Sequence, residues 1–377
     1  MDLSDLDATH NAVLKEVITE RIRRDGPISF AEFYETALYH PRHGYYFACD
    51  PTLDFQSSPN VHPVFGAAIA RQLAAWWREM GQPPRFDVFE AGAAAGRLAA
   101  DVLRYLRSTE AEAYQAIRYV VQDVTLTGEA AAARLEAAGV PKGKVEVAAS
   151  LPASAQIEGV ILSNELLDAL PFHRVRRRDG HLYELLVGLE NGALVDVEAE
   201  PRPDILAHLT ALGLAPGEGC EAEVNLVAPA WIRRAAGALR RGYVLTLDYG
   251  YEAAALYAPW RKRGTLLTFY RQTSGDDPYA RIGRQDITAS VDFTSAMRAG
   301  ESAGLTTLAF TTQTEFLTSL GIGEALSQPP QPDQLEAYYA LRKAVMELTD
   351  PAGLGRIRVL IQAHGHVTRT STPDKPA

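Results

Sequence analysis

FDVFEAGAAAGRLAADVL, residues 86–103, runs from an apolar segment through small residues into an amphipathic one. Phe86, Val88 and Phe89 read as a buried parallel strand, and Leu98, Val102 and Leu103 recur on one face of a following helix. Between them stands Glu90-x-Gly92-x-x-x-Gly96. Gly92 suits the tight turn that leaves the strand, and Gly96 suits close packing of a helix whose N-terminus faces a ligand. Glu90, ending the strand, is placed to reach into the crevice above the sheet. The spacing does not fit G-x-G-x-x-G, and the GK[ST] of a phosphate-binding loop is absent. An S-adenosylmethionine turn and an ordinary strand-to-helix connection stay equally open on these residues, with a dinucleotide turn behind both.

Outward from this turn, strand and helix patterns alternate, as in an α/β sheet covered on both faces. Arg118 to Gln122, Lys144 to Ala148, Gly159 to Ser163 and Gly242 to Leu247 read as further strands. Their C-terminal ends bring Gln122, Asp123, Ser150, Asn164, Glu165 and Asp248 to one crevice. Leu305 to Phe310 and Arg356 to Ile361 read as late strands, with a helix from about Asp333 to Leu348 between them. The segment after the fourth strand breaks the alternation. Asp179-Gly180 and Asn191-Gly192 separate alternating runs, which predicts a three-stranded antiparallel meander. Arg174, Arg176, Arg177 and Arg178 lie on its first strand and read as a solvated face.

Before the turn, Asn11 to Arg24 has helical spacing. Ser29 and Glu32 form a capping-box pattern that starts a helix ending near Tyr39, and Val64 to Met80 is a helix with Phe65, Ile69, Leu73 and Trp76 on its packed face. The expected organisation is a helical N-terminal cap over 1–80, a first core part over 81–172, an insertion over 173–230, a second core part over 231–366 and a disordered tail over 367–377.

Composition narrows the function. The 377 residues, 47% of them hydrophobic, can bury a sizeable core. A formal net charge of −10 argues against general nucleic-acid binding. No apolar run reaches membrane-span length, and the opening MDLSDLDATH is too acidic for a targeting peptide, so the cytoplasm is the expected compartment. Cys49 and Cys220 are the only cysteines, and the nine histidines lack metal-site spacing, so no metal is expected.

GPISFAEFYETALYHPRHGYY, DFQSSPNVHPVFG, NELLDALPFHRV, LDYGY, GTLLTFYR, DITASVDF and TQTEFLTSLGI follow one another along the chain. In this order they resemble the MidA family of S-adenosylmethionine-dependent methyltransferases, the group that includes a mitochondrial complex I assembly factor that methylates an arginine. The resemblance implies a class I methyltransferase fold, Rossmann-like, with a helical N-terminal cap and the meander insertion. It implies S-adenosylmethionine as cofactor, held by Ser58, Glu90, Gly92, Ala94, Gly96, Gln122, Asp123, Ser150 and Leu151. Three positions depart from the family: Ala94 stands for the central Gly of its loop, Leu53 for a Gly, and Gln122 for the acid that holds the ribose, with Asp123 beside it.

The resemblance also directs attention to Asn164-Glu165-Leu166-Leu167-Asp168 as catalytic. A guanidinium is a poor nucleophile, and carboxylates can orient it and stabilise its charge. On a helical turn, Glu165 and Asp168 would share a face. Asn164 or Asp168 capping the next element is the alternative. The readings carried forward are transfer to an arginine of a protein such as a respiratory-complex subunit, transfer to a small molecule, and a non-catalytic assembly protein with a drifted loop.

Overall fold

The computed structural model describes residues 11–128, 130–327 and 330–365. They fall into two compact units, one of residues up to Phe55, Leu167–Ala230 and Gly250–Ser295, the other of Gln56–Leu166, Trp231–Tyr249 and the residues from Ala296 on.

The second unit is a seven-stranded sheet of β1 (Phe86–Ala91), β2 (Ile117–Gln122), β3 (Val145–Val147), β4 (Ile157–Asn164), β5 (Leu239–Asp248), β6 (Thr306–Thr312) and β7 (Arg358–His364). Spatial order is β3-β2-β1-β4-β5-β7-β6. β1 to β5 run parallel, and β7 pairs antiparallel with both β5 and β6. The order reverses between β1 and β4, so the switch point that opens a crevice lies beside the Gly-containing loop. Val88, Val160, Leu162, Tyr243 and Leu245 form one core with Phe65, Ile69, Leu73 and Trp76 of the helix Val64–Glu79. Trp76 stacks on Tyr243 at 4.2 Å between ring centroids. This packing ties that helix to the sheet, and the expected cap of 1–80 accordingly ends at Phe55.

The first unit joins the N-terminal helices Ala12–Asp25 and Phe30–Tyr39 to the insertion. The capping box forms as read: Ser29 Oγ accepts from Glu32 N at 3.2 Å and the Glu32 carboxylate accepts from Ser29 N at 3.1 Å. The meander strands His173–Arg178, His181–Glu190 and Ala193–Ala199 turn at Asp179-Gly180 and Asn191-Gly192, all four residues left-handed. The sheet is larger than expected. Ile28–Ser29 pairs with His181–Glu190, and Glu221–Val224 with His173–Arg178. A separate sheet of Leu267–Tyr270, Thr273–Gly275 and Asp286–Thr288, not foreseen in the sequence, places 250–295 with the insertion rather than with the core.

The basic run corrects the expectation of a solvated face. Arg174 is only 8% exposed and pairs with Asp196 at 2.7 Å and Glu221 at 3.0 Å, its guanidinium over the Phe30 ring. Arg176 pairs with Glu198 and Glu221, and Arg178 with Glu198. The neighbouring strands supply the counter-charges, which the run by itself does not reveal. Arg174→Ala would remove the cation from Asp196, which keeps the Tyr279 hydroxyl, while Glu221 keeps Arg176, and should destabilise by about 2 kcal/mol, whereas Arg178→Ala, at an exposed arginine, should cost about 1 kcal/mol or less. Urea unfolding of both variants checks the difference.

Candidate active site

In the sheet unit, the loop after β1 is fixed by the end of β2. The Gln122 carbonyl accepts from Gly92 N at 2.8 Å and Ala93 N at 3.1 Å, and the Asp123 carboxylate accepts from Ala94 N at 2.9 Å. Gly92 and Gly96 take φ of 72° and 81°. Both glycines are required by conformation, and a Cβ would meet the Leu166 side chain at 3.0 Å at Gly92 and Leu135 Cδ2 at 2.5 Å at Gly96, so a leucine would have to move. Ala94 also has positive φ, 46°, a strain of about 1–2 kcal/mol for a residue with a Cβ. A hydrogen bond to a charged acceptor contributes about 1.5–3 kcal/mol, so the Asp123 contact offsets that strain. The other Asp123 oxygen accepts from Thr125 N and Oγ1 at 2.8 and 2.7 Å. Asp123 therefore clamps the loop, and the half-buried Gln122 side chain is left at the strand end. Ser150, exposed, and Leu151, half-buried, lie in the segment that follows β3.

Glu90 departs from its expected place. It is 3% exposed and accepts from the Tyr119 hydroxyl at 2.6 Å, held inside the unit instead of reaching into the crevice. Burial, with a further contribution from the Asp123 charge, pushes its carboxyl up to about 7 against the opposing Tyr119 bond.

At the end of β4 the backbone turns sharply. Glu165 has φ of 51°, so no helical turn carries Glu165 and Asp168 on a common face. The Glu165 carboxylate accepts from Ser58 N at 3.1 Å and Asn164 Nδ2 at 3.0 Å, while its own N–H bonds Leu247 O at 2.8 Å. Asp248, fully buried, accepts from Leu166 N at 3.1 Å and completes the turn. Ser58 is fully buried and its hydroxyl donates to Gln313 at 3.0 Å. Asn164 Oδ1 is buried with no partner among the described residues, which also removes the capping alternative for Asn164. The orphaned Asn164 acceptor at the strand end, beside a loop held open by glycine, fits a close-lying polar cofactor.

Asp168 belongs to the other unit. It is half-buried and its Oδ2 accepts from Thr288 Oγ1 at 3.0 Å; the next described element is the strand starting at His173, so it caps no helix. Asp286, two residues before Thr288 on the same strand, is 4% exposed and accepts from the Tyr46 hydroxyl at 3.0 Å. Burial first, then the charges of Asp168 and Asp54, push the Asp286 carboxyl up to about 7. Asp54 is itself buried and accepts from Tyr45 OH at 2.8 Å. Asp286 and Asp54 lie in the motifs DITASVDF and DFQSSP, and the spacing of these motifs carries no signal that chain segments so far apart converge. Among the described residues no group of three His, Cys, Asp or Glu could hold a metal, and no helix is long and apolar enough to cross a membrane.

Comparison with known proteins matches residues 68–311 to the profile of a family described as "Putative S-adenosyl-L-methionine-dependent methyltransferase". The chain belongs to this methyltransferase family. A crystal structure from Burkholderia thailandensis with bound S-adenosyl-homocysteine superposes on this methyltransferase with a TM-score of 0.84, at 29% identity, covering 96% of this chain and 95% of that one. The fold is thus the class I methyltransferase fold expected, and S-adenosylmethionine is the cofactor. The Drosophila melanogaster "Protein arginine methyltransferase NDUFAF7 homolog, mitochondrial" is 27% identical over 93% of this methyltransferase and 84% of its own length. The Homo sapiens protein of that name is 25% identical over 80% and 72%. Both names are mitochondrial, which gives the expected cytoplasmic location no support.

Because the folded state holds Glu90 with a raised pKa, the methyltransferase favours its protonated form, and that contribution is lost as pH rises through about 7. Glu90→Gln should therefore gain stability over the parent between pH 5.5 and pH 8.5, by on the order of 2 kcal/mol at the upper end. Thermal melts at the two pH values check this; an unchanged difference would contradict it.

Proposed function

We propose that this methyltransferase transfers the methyl group to an arginine carried by a protein. The observation that carries the reading is the half-buried Asp168 carboxylate, which accepts from Thr288 Oγ1 at 3.0 Å on the strand that also carries the buried Asp286. Relatives named protein arginine methyltransferases over most of the chain support it.

The bound cofactor supplies an electrophilic methyl on a sulfonium. Gln122 is suited to the ribose hydroxyls and Asn164 Oδ1 to an ammonium, with Gly92, Ala94 and Gly96 as the backbone cradle and Ser150 and Leu151 along its side. Asp123 and Glu165 act through the backbone they brace. On the acceptor side, a guanidinium nitrogen that gains a methyl must release a proton. Asp168 would be the carboxylate that orients the guanidinium and takes up the proton released when the nitrogen accepts the methyl from the sulfonium. Asp286 lies on the strand that carries Thr288, and burial first, then the Asp168 charge, raises its carboxyl.

Asp168→Asn should lower the rate of transfer by about two orders of magnitude, the scale for one well-placed electrostatic group, with cofactor affinity unchanged. The assay incubates labelled cofactor with lysate of a strain lacking the protein and maps the label by mass spectrometry. Label on a protein arginine, lost in Asp168→Asn, supports the reading. Label confined to a small-molecule fraction contradicts it.

A further inference from the structure

The hairpin joining Leu267–Tyr270 to Thr273–Gly275 turns on two residues with side chains, Arg271 and Gln272, at φ of 48° and 62°. Left-handed backbone at non-glycine residues persists only where surrounding structure enforces it, and it gathers at ligand clamps and similar functional places. The enforcement here is specific. Asp54 Oδ1 accepts from Arg271 N at 2.6 Å, Asp54 O accepts from Gln272 N at 3.1 Å, and Gln272 Nε2 donates to Leu53 O at 3.0 Å. The braced tip presents cations. The Arg271 guanidinium lies 5.2 Å from the centroid of the Tyr270 ring and that of Arg281 lies 4.6 Å from the same centroid.

Neither arginine has a carboxylate partner among the described residues. The acids nearest in sequence are turned elsewhere: Asp276 pairs with Arg263 at 2.7 Å and Asp277 accepts from Tyr279 N at 2.8 Å. The Asp54 carboxylate is spent on the Arg271 backbone N–H, so each guanidinium on the ring can take a carboxylate from outside. Leu53, beside the tip, is 65% exposed and adds an apolar contact. On these grounds we propose that the Tyr270–Gln272 tip with Arg281 is a docking point for an acidic segment of a protein partner, its carboxylates on the two guanidinium groups and an aliphatic side chain on Leu53.

The alternative occupants fit less well. Docking on an anionic membrane takes clusters of about four to eight basic residues, and a chain of net charge −10 is repelled as a whole by an extended anionic surface. A short segment meets only the local field, since charges beyond about 10 Å are screened at moderate salt. As the docking of the protein that carries the acceptor, the proposal rests on the arginine reading above, but its test reads binding alone.

The probe is a fluorescein-labelled peptide of six glutamates and two leucines, titrated with the full-length protein at 20 mM salt and followed by anisotropy. The expected result is saturable binding that weakens at least fivefold in Arg271→Glu/Arg281→Glu and at least twofold in Arg271→Gln, and is unchanged in Arg342→Glu, an exposed arginine on the helix Leu335–Leu348. Equal binding by parent and double variant, or no binding by the parent, overturns the proposal. Phosphatidylserine vesicles that sediment the parent but not the double variant would also overturn it, in favour of a lipid surface. Because no methyl transfer is measured, each of these outcomes leaves the arginine reading where it stood.

Discussion

The grip of one strand end on the neighbouring loop organises the catalytic sheet. Three consecutive N–H groups, of Gly92, Ala93 and Ala94, are taken by the carbonyl of Gln122 and the carboxylate of Asp123. Such bonds leave little freedom in a segment that must lie against a ligand, and the charged one outweighs the strain of a left-handed alanine. A glycine-poor loop thereby keeps the shape that glycine would otherwise adopt by itself. The turn after β4 follows the same logic: Glu165 and Asp248 use their carboxylates on backbone N–H groups and hold a left-handed residue in place.

The acid groups thus divide by what they touch. Asp123, Glu165 and Asp248 fix backbone, and Glu90 is closed off with Tyr119. Asp168 and Asp286 instead accept hydroxyl donors within their own unit, and burial first, then the Asp168 charge, raises Asp286. A carboxylate already bound to backbone has a fixed geometry, whereas one held by hydroxyl donors can exchange them for an arriving cation. That contrast, more than proximity in sequence, separates the acceptor candidates from the braces.

Much of the sheet was legible because its strands are buried on both faces and its turns carry glycine at places where the backbone demands it. β1, β2, β4 and β5 and the meander all lie where apolar runs and Asp-Gly or Asn-Gly turns put them. What was not legible depends on pairing at long range. Nothing in the run Arg174 to Arg178 announces Asp196, Glu198 and Glu221 on the adjoining strands, and nothing near Ser58 announces Gln313. The site shows the same limit. Glycine spacing located the loop, but the assignment of Glu165 as a partner of Asp168 assumed a helical turn, and a single positive φ at Glu165 undoes it. The unit boundary at Phe55 was hidden for a related reason, since the helix Val64–Glu79 declares its apolar face without declaring which body that face will meet.

The most direct measurement is calorimetric titration of the unliganded protein with S-adenosylhomocysteine, with NAD as the comparison. A loop held in shape by Gln122 and Asp123 should bind the former saturably at one site per chain and give no binding heat with NAD. Absence of binding to S-adenosylhomocysteine, or equal binding of both, would contradict the account.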